Sequence, residues 1–221
     1  MNSSSSSFGV YETGRIIVPG FYFASLVALL YRFFLTHYLP NPLDTSTLLL
    51  LFILICLIAG LTMYAQETPK RRRAFVENQP SSYVQGIART VSDTELLEDA
   101  EARQLYFYIL NNYMPASFHE KIFFFGTIYH IMIQIRRTSF WFGIIFLAAV
   151  AVQIASGAVF QNGMLLIVAV LVWIVYGMNV RYNKADRKMQ ENYQDQIYWL
   201  EQNNDIVLTL IKKQRNKNRK K

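Results

Sequence analysis

The sequence predicts an all-α, polytopic membrane protein: four transmembrane helices in two hairpins, joined to a cytoplasmic helical layer. Three observations predict it. Of 221 residues, 52% are hydrophobic and 17% charged, against about 45–50% and about 25% in an ordinary soluble domain. The apolar residues are gathered in four blocks, each near the roughly 20 residues needed to cross a bilayer. The basic residues avoid the joins between paired blocks.

The first block is Ile16–Leu39. Arg32 lies inside it but near one end, where a long side chain snorkels to the interface. Pro19 and Gly20 fall in the expected opening turn, where a missing amide hydrogen costs little. The flank before it, Met1–Gly14, carries no basic residue, and no small-residue cleavage site follows, so a signal peptide is not expected. The serine run Ser3–Ser7 makes residues 1–14 read as a disordered tail. Pro40-Asn41-Pro42 forces a turn into the second block, Thr45–Ala65, so residues 15–65 form one hairpin. Phe140–Phe160 and Gly163–Tyr182 form the other, over residues 140–182, with Gln161-Asn162-Gly163 as its turn.

Orientation follows from the cations. Of 22 Lys and Arg, Arg15 precedes the first span and Arg32 lies within it. Nine lie from Lys70 to Arg137 and eleven from Arg181 to Lys221, while both hairpin turns have none. The N-terminus, the central insert and the C-terminus are therefore expected in the cytoplasm, with the spans in the cell's inner membrane.

The central insert, residues 66–139, is too long and too patterned for a passive loop. Lys70–Arg73 would anchor the second span to anionic headgroups. Glu77–Thr90, with Pro80 and Gly86, reads as an irregular connection. Ser92-Asp93-Thr94-Glu95 has the form of a capping box, predicting a helix from Asp93 to Met114 that stops at Pro115. Ser117 to Glu120 repeats the box before a helix from Phe118 to about Arg137. That helix is apolar on most sides, with Thr127, His130, Gln134 and Arg137 forming one polar stripe. It either lies in the headgroup plane or packs on the spans with its stripe toward a cavity. The interfacial placement is the expectation.

Residues 183–221 should hold a helix and a polybasic tail. Tyr182, Ala185, Met189, Tyr193, Ile197, Leu200, Asn204, Val207 and Ile211 recur at a mean step of about 3.6, the period of a straight helix. Tyr193 through Ile211 are candidate oligomer or partner contacts, and Asn204 would fix register. The stripe's partner is either the central helices of the same chain or a second copy. Lys212–Lys221 holds seven Lys or Arg and no acid. That run suits anionic lipid, and without interleaved aromatics it does not suggest nucleic acid.

Little catalytic chemistry is visible. One cysteine, Cys56, and three histidines leave no thiolate cluster or metal set. There is no nucleophile elbow, phosphate-binding glycine loop or His-Glu-x-x-His, so neither an enzyme nor a cofactor is expected. Arg32-x4-His37 resembles the signature of HEPN-type ribonucleases, but it sits in the outer half of a span with no paired copy. The predicted spans hold no Asp or Glu, which argues against ion-coupled transport. Arg32, Gln153 and Ser156 remain as candidate path-lining groups. Ala148, Ala149, Ala151, Ala155 and Gly157 supply small residues for close helix packing.

Two functions fit: an oligomeric pore or permeability effector, or a membrane anchor that docks a soluble cytoplasmic protein. The four spans around a helical insert resemble the small prokaryotic membrane proteins that accompany anti-phage defence and CRISPR systems. The resemblance rests on layout and implies a stress- or infection-triggered membrane effector or regulator, with a cytoplasmic nuclease or sensor as partner.

Overall fold

The structure, a computed structural model, describes residues 4–39, 41–74, 79–91, 97–157, 163–182 and 184–218. Among these every regular element is helical: α1 (Ser4–Leu30), a π-helical turn (Tyr31–Leu35), α2 (Thr36–Tyr38), α3 (Thr45–Ala74), α4 (Pro80–Val91), α5 (Asp99–Asn112), α6 (Ala116–Ala155), α7 (Gly163–Tyr182), α8 (Lys184–Gln202) and α9 (Asn204–Asn218). Four helical stretches are long and apolar enough to span a membrane: Gly9–Tyr38, Thr45–Gln66, Ala116–Ala155 and Gly163–Gln202. The chain divides into two compact units, Met1–Thr68 with Thr127–Ala185, and Pro69–Gly126 with Asp186–Lys221.

In the first unit α1 and α3 approach backbone to backbone. A Cβ on Gly20 would stand 3.1 Å from Cα of Gly60, and one on Gly60 would stand 3.1 Å from the Ile16 side chain. Ala24 and Cys56 are buried beside this crossing. A third close approach sets Gly143 of α6 under the Trp173 indole, 2.9 Å from a Cβ placed there. The apolar core joins Leu26, Phe142, Phe146, Ala149, Leu165, Ala169 and Val172. Outside it lies a belt of exposed large apolar side chains, including Leu50, Ile58, Trp141, Ile154, Ile167 and Leu171.

Several expectations need correction here. Residues 4–14 are helical rather than a disordered tail, so Pro19 is a mid-helix residue that cannot donate to the Arg15 carbonyl. The expected break between a helix ending at Arg137 and a span starting at Phe140 is absent, and α6 is continuous. No Gly or Pro interrupts residues 127–142, and Ser139 back-bonds to the Ile135 carbonyl at 2.7 Å, which a continuing helix accommodates. Of the small residues expected to pack at 148–157, Ala149 is buried, while Ala148, Ala151, Ala155 and Gly157 are exposed.

The second unit packs α4, α5, the first turns of α6, α8 and α9 around Val84, Leu105, Ile109, Leu200, Val207 and Ile211. The segment read as irregular is helix α4. Its start suits Pro80, which needs no donor in the first turn, and Ser81, Val84 and Ala88 bury one face. The proposed box at Ser92–Glu95 lies outside the described residues. The box that caps α5 begins six residues later, with Glu98 and Glu101 bonding reciprocally. The helix stops before Pro115 as expected, and its carbonyl at Leu110 accepts from His119 Nε2 at 2.7 Å. Ser117 does not open α6, whose first turn closes on Pro115 through the Phe118 amide.

Candidate functional site: a polar seam in the first unit

Three helices bring their polar side chains to one seam. On α1, Glu12 and Arg15 are one turn apart and pair at 2.8 Å, with side chains only 20% and 15% exposed. Arg15 Nε also donates to Thr127 Oγ1 on α6 at 3.2 Å. The second carboxylate oxygen of Glu12 accepts from the Tyr64 hydroxyl on α3. One turn along α6, the His130 ring lies 6.0 Å from that of Tyr64. Gln134 then donates to the Met63 carbonyl at 3.2 Å. Past a further turn, Tyr22 and Ser139 share a hydrogen bond of 2.7 Å. Thr127, His130, Gln134, Thr138 and Ser139 are all buried, so α6 turns one polar stripe inward over 13 residues. A desolvated carboxylate is tolerated there because each oxygen meets a donor.

Thr127, His130 and Gln134 of the expected stripe are buried and meet helices α1 and α3, where an interfacial helix was expected. The physical reason is the complement opposite it: Arg15 of α1 donates to the Thr127 hydroxyl, the Met63 carbonyl of α3 accepts from Gln134, and the Tyr64 ring of α3 stands beside His130. Arg137 stands apart from the seam and is half-buried. Glu12, Arg15 and Tyr64 were not singled out from the sequence. Their signal is the Glu12–Arg15 spacing of three, which favours an ion pair on a helix, masked by the serine run before it.

At the other end of the unit the π-helical turn widens the backbone of the first span. The Phe33 carbonyl accepts from Gln153 Nε2 at 3.1 Å, and the Arg32 carbonyl from the Thr36 hydroxyl at 2.7 Å. Ser156 meets the Tyr38 hydroxyl at 3.2 Å and the Gln153 carbonyl at 2.9 Å. The structure therefore brings Gln153 and Ser156 to the turn that carries Arg32. They do so as partners of backbone and neighbouring hydroxyls, while the Arg32 side chain is exposed.

In the second unit Leu200, Val207 and Ile211 are fully buried in a core shared with α4 and α5 of the same chain. Tyr193 and Ile197 are half-buried and Asn204 is exposed. The departure arises at Asn203, where α8 ends and α9 begins, shifting the buried face to Met189, Asn192, Gln196 and Leu200. Gln196 accepts from the Tyr106 hydroxyl, and burial pushes that phenol above its ordinary value. No group of three or more metal-ligating side chains occurs among the described residues. Comparison with protein-family models, curated proteins and solved structures finds no match.

Proposed function

We propose that the protein is a multi-pass protein of the cytoplasmic membrane that anchors and presents a cytoplasmic helical unit for a soluble partner. Its first unit crosses the bilayer four times as two hairpins, and both termini face the cytoplasm. The observation that carries this reading is the fate of the polar groups in the spans. Gln153 and Ser156 are engaged by the Phe33 carbonyl and Tyr38, Arg32 is exposed, and Glu12, Arg15 and Tyr64 satisfy one another. Side chains used to fasten helices leave Gln153, Ser156, Glu12, Arg15 and Tyr64 no part in a path within one chain. Intramembrane polar groups that pair with one another are the economical arrangement in a low-dielectric setting.

A second reading, the permeability effector, is favoured by one observation. Ala148, Ala151 and Ala155 form an exposed small-residue face on α6, which lets a second copy approach closely and would place a path between subunits. Dye and ion release from vesicles holding the purified protein separates the two. The anchor predicts release equal to that of empty vesicles. Release above that level, lost in Ala151→Leu, would replace the anchor with an oligomeric pore.

A further inference from the structure

In the first unit the belt of exposed apolar side chains reaches one turn further down α7 than it does on α6. On α6 it begins at Trp141, followed by Ile144, Ile145 and Leu147. On α7 it runs from Met164 through Ile174 and Met178 to Val180. At the edge on α6 an aromatic layer bridges the two helices. The Phe140 ring lies 6.1 Å from that of Trp173 and 5.5 Å from that of Tyr176. Trp173 and Tyr176 are themselves 5.5 Å apart. Such a layer suits the boundary between hydrocarbon and headgroups, where amphipathic rings collect.

Because Phe140 is level with Tyr176 and the helices run antiparallel, one turn before Phe140 is level with one turn after Tyr176. Those turns hold Arg136 and Arg137 on α6, and Arg181 on α7. Arg136 is four residues before Phe140 and shares its face, toward α7. Arg136 and Arg137 are half-buried and Arg181 is exposed. No carboxylate among the described residues pairs with any of the three. Three guanidinium groups beneath an aromatic shelf, uncompensated by acid, match the paired oxygens of a phosphate carried by a lipid.

We propose that Arg136, Arg137 and Arg181 bind the phosphate of an anionic phospholipid in the cytoplasmic leaflet, with its chains on the Trp173–Tyr176 side of the belt. This rests on the membrane reading above. The test uses full-length protein in vesicles of phosphatidylcholine with phosphatidylglycerol, carried into nanodiscs, with retained lipid counted by native mass spectrometry. Arg136→Gln with Arg137→Gln should lower phosphatidylglycerol retention on the order of tenfold. Lys212→Gln with Lys213→Gln, which removes the same charge from α9, should leave it unchanged. The pair Arg136→Lys with Arg137→Lys should keep most of it, which separates lost charge from lost folding. Equal retention in the two glutamine pairs overturns the headgroup site while leaving insertion intact. Wild-type protein released from vesicles by alkaline extraction overturns the insertion reading and, with it, this one.

Discussion

Replacing Gly60 by alanine adds one methyl group where α1 and α3 touch. The new Cβ would fall under 3.0 Å from the Ile16 carbonyl oxygen, and the Gly20→Ala methyl would meet the Cys56 carbonyl in the same way. Backbone atoms cannot rotate aside, so the helices must part by about 1 Å to reach ordinary contact distance, and a gap of that size forfeits about a quarter to a half of each dispersion contact along the seam. Between helices in lipid that packing is a principal attraction, so each change should cost about 1–3 kcal/mol. The two changes share one interface and should not add. Gly177 is the control, since nothing lies within 4 Å of a Cβ there. Unfolding by sodium dodecyl sulfate in mixed micelles, read by Trp141 and Trp173 in a Trp199→Phe background, gives the stabilities. Gly60→Ala as stable as Gly177→Ala would refute the backbone contact.

Two further outcomes are expected. Tyr106 is buried with its phenol pushed up by desolvation, so it stays protonated in the fold while the unfolded chain ionises near pH 10. Its contribution is complete below that pH and falls above it by about 1.4 kcal/mol per pH unit. Tyr106→Phe should cost about 1–3 kcal/mol at neutral pH through the abandoned Gln196 oxygen and flatten the alkaline decline in denaturant unfolding; an unchanged alkaline slope would disprove the assignment. Asp44 caps α3, accepting from the amides of Ser46 and Thr47 at 3.1 Å. The Thr47 hydroxyl holds its carboxyl below the usual range, so the cap is intact above that range and is lost as pH falls through the lowered value. Protection of the Ser46 and Thr47 amides, taken relative to their intrinsic exchange, should fall in Asp44→Ala and no longer change in acid; equal protection in both proteins would count against the cap.

Much of the architecture was legible because apolar runs of span length are a strong signal, and the starts of α3 and α7 were read at Thr45 and Gly163. Other features depended on partners distant in sequence. Arg15 and Thr127 are 112 residues apart, so periodicity showed the α6 stripe but not what it faces. Charged Arg136-Arg137 looked like the end of one helix, although a pair of arginines does not interrupt a helix that has no Gly or Pro nearby. Helix α4 was hidden by Pro80 and Gly86, residues that weaken a helix interior but are tolerated at its start and at a position where a Cβ would meet nothing within 4 Å. The glycine crossing of α1 and α3 escaped notice because Gly20 and Gly60 are isolated, while the alanine-rich run on α6 drew attention to a face that is mostly exposed. The π-helical turn at Tyr31–Leu35 has no marker in its own residues, because its freed carbonyl is met by Gln153 from another helix.

The central claim is a four-span unit with both termini and the helical insert on the cytoplasmic side. Single cysteines test it most directly. In a Cys56→Ser background, Asn41→Cys and Asn162→Cys mark the two short joins, Gly86→Cys marks α4 and Asn216→Cys marks α9. Each is labelled with a membrane-impermeant maleimide in right-side-out and inside-out vesicles. The account predicts labelling at 41 and 162 only from outside, and at 86 and 216 only from inside. Labelling of 86 from the outer face, or of 41 and 162 from opposite faces, would contradict it.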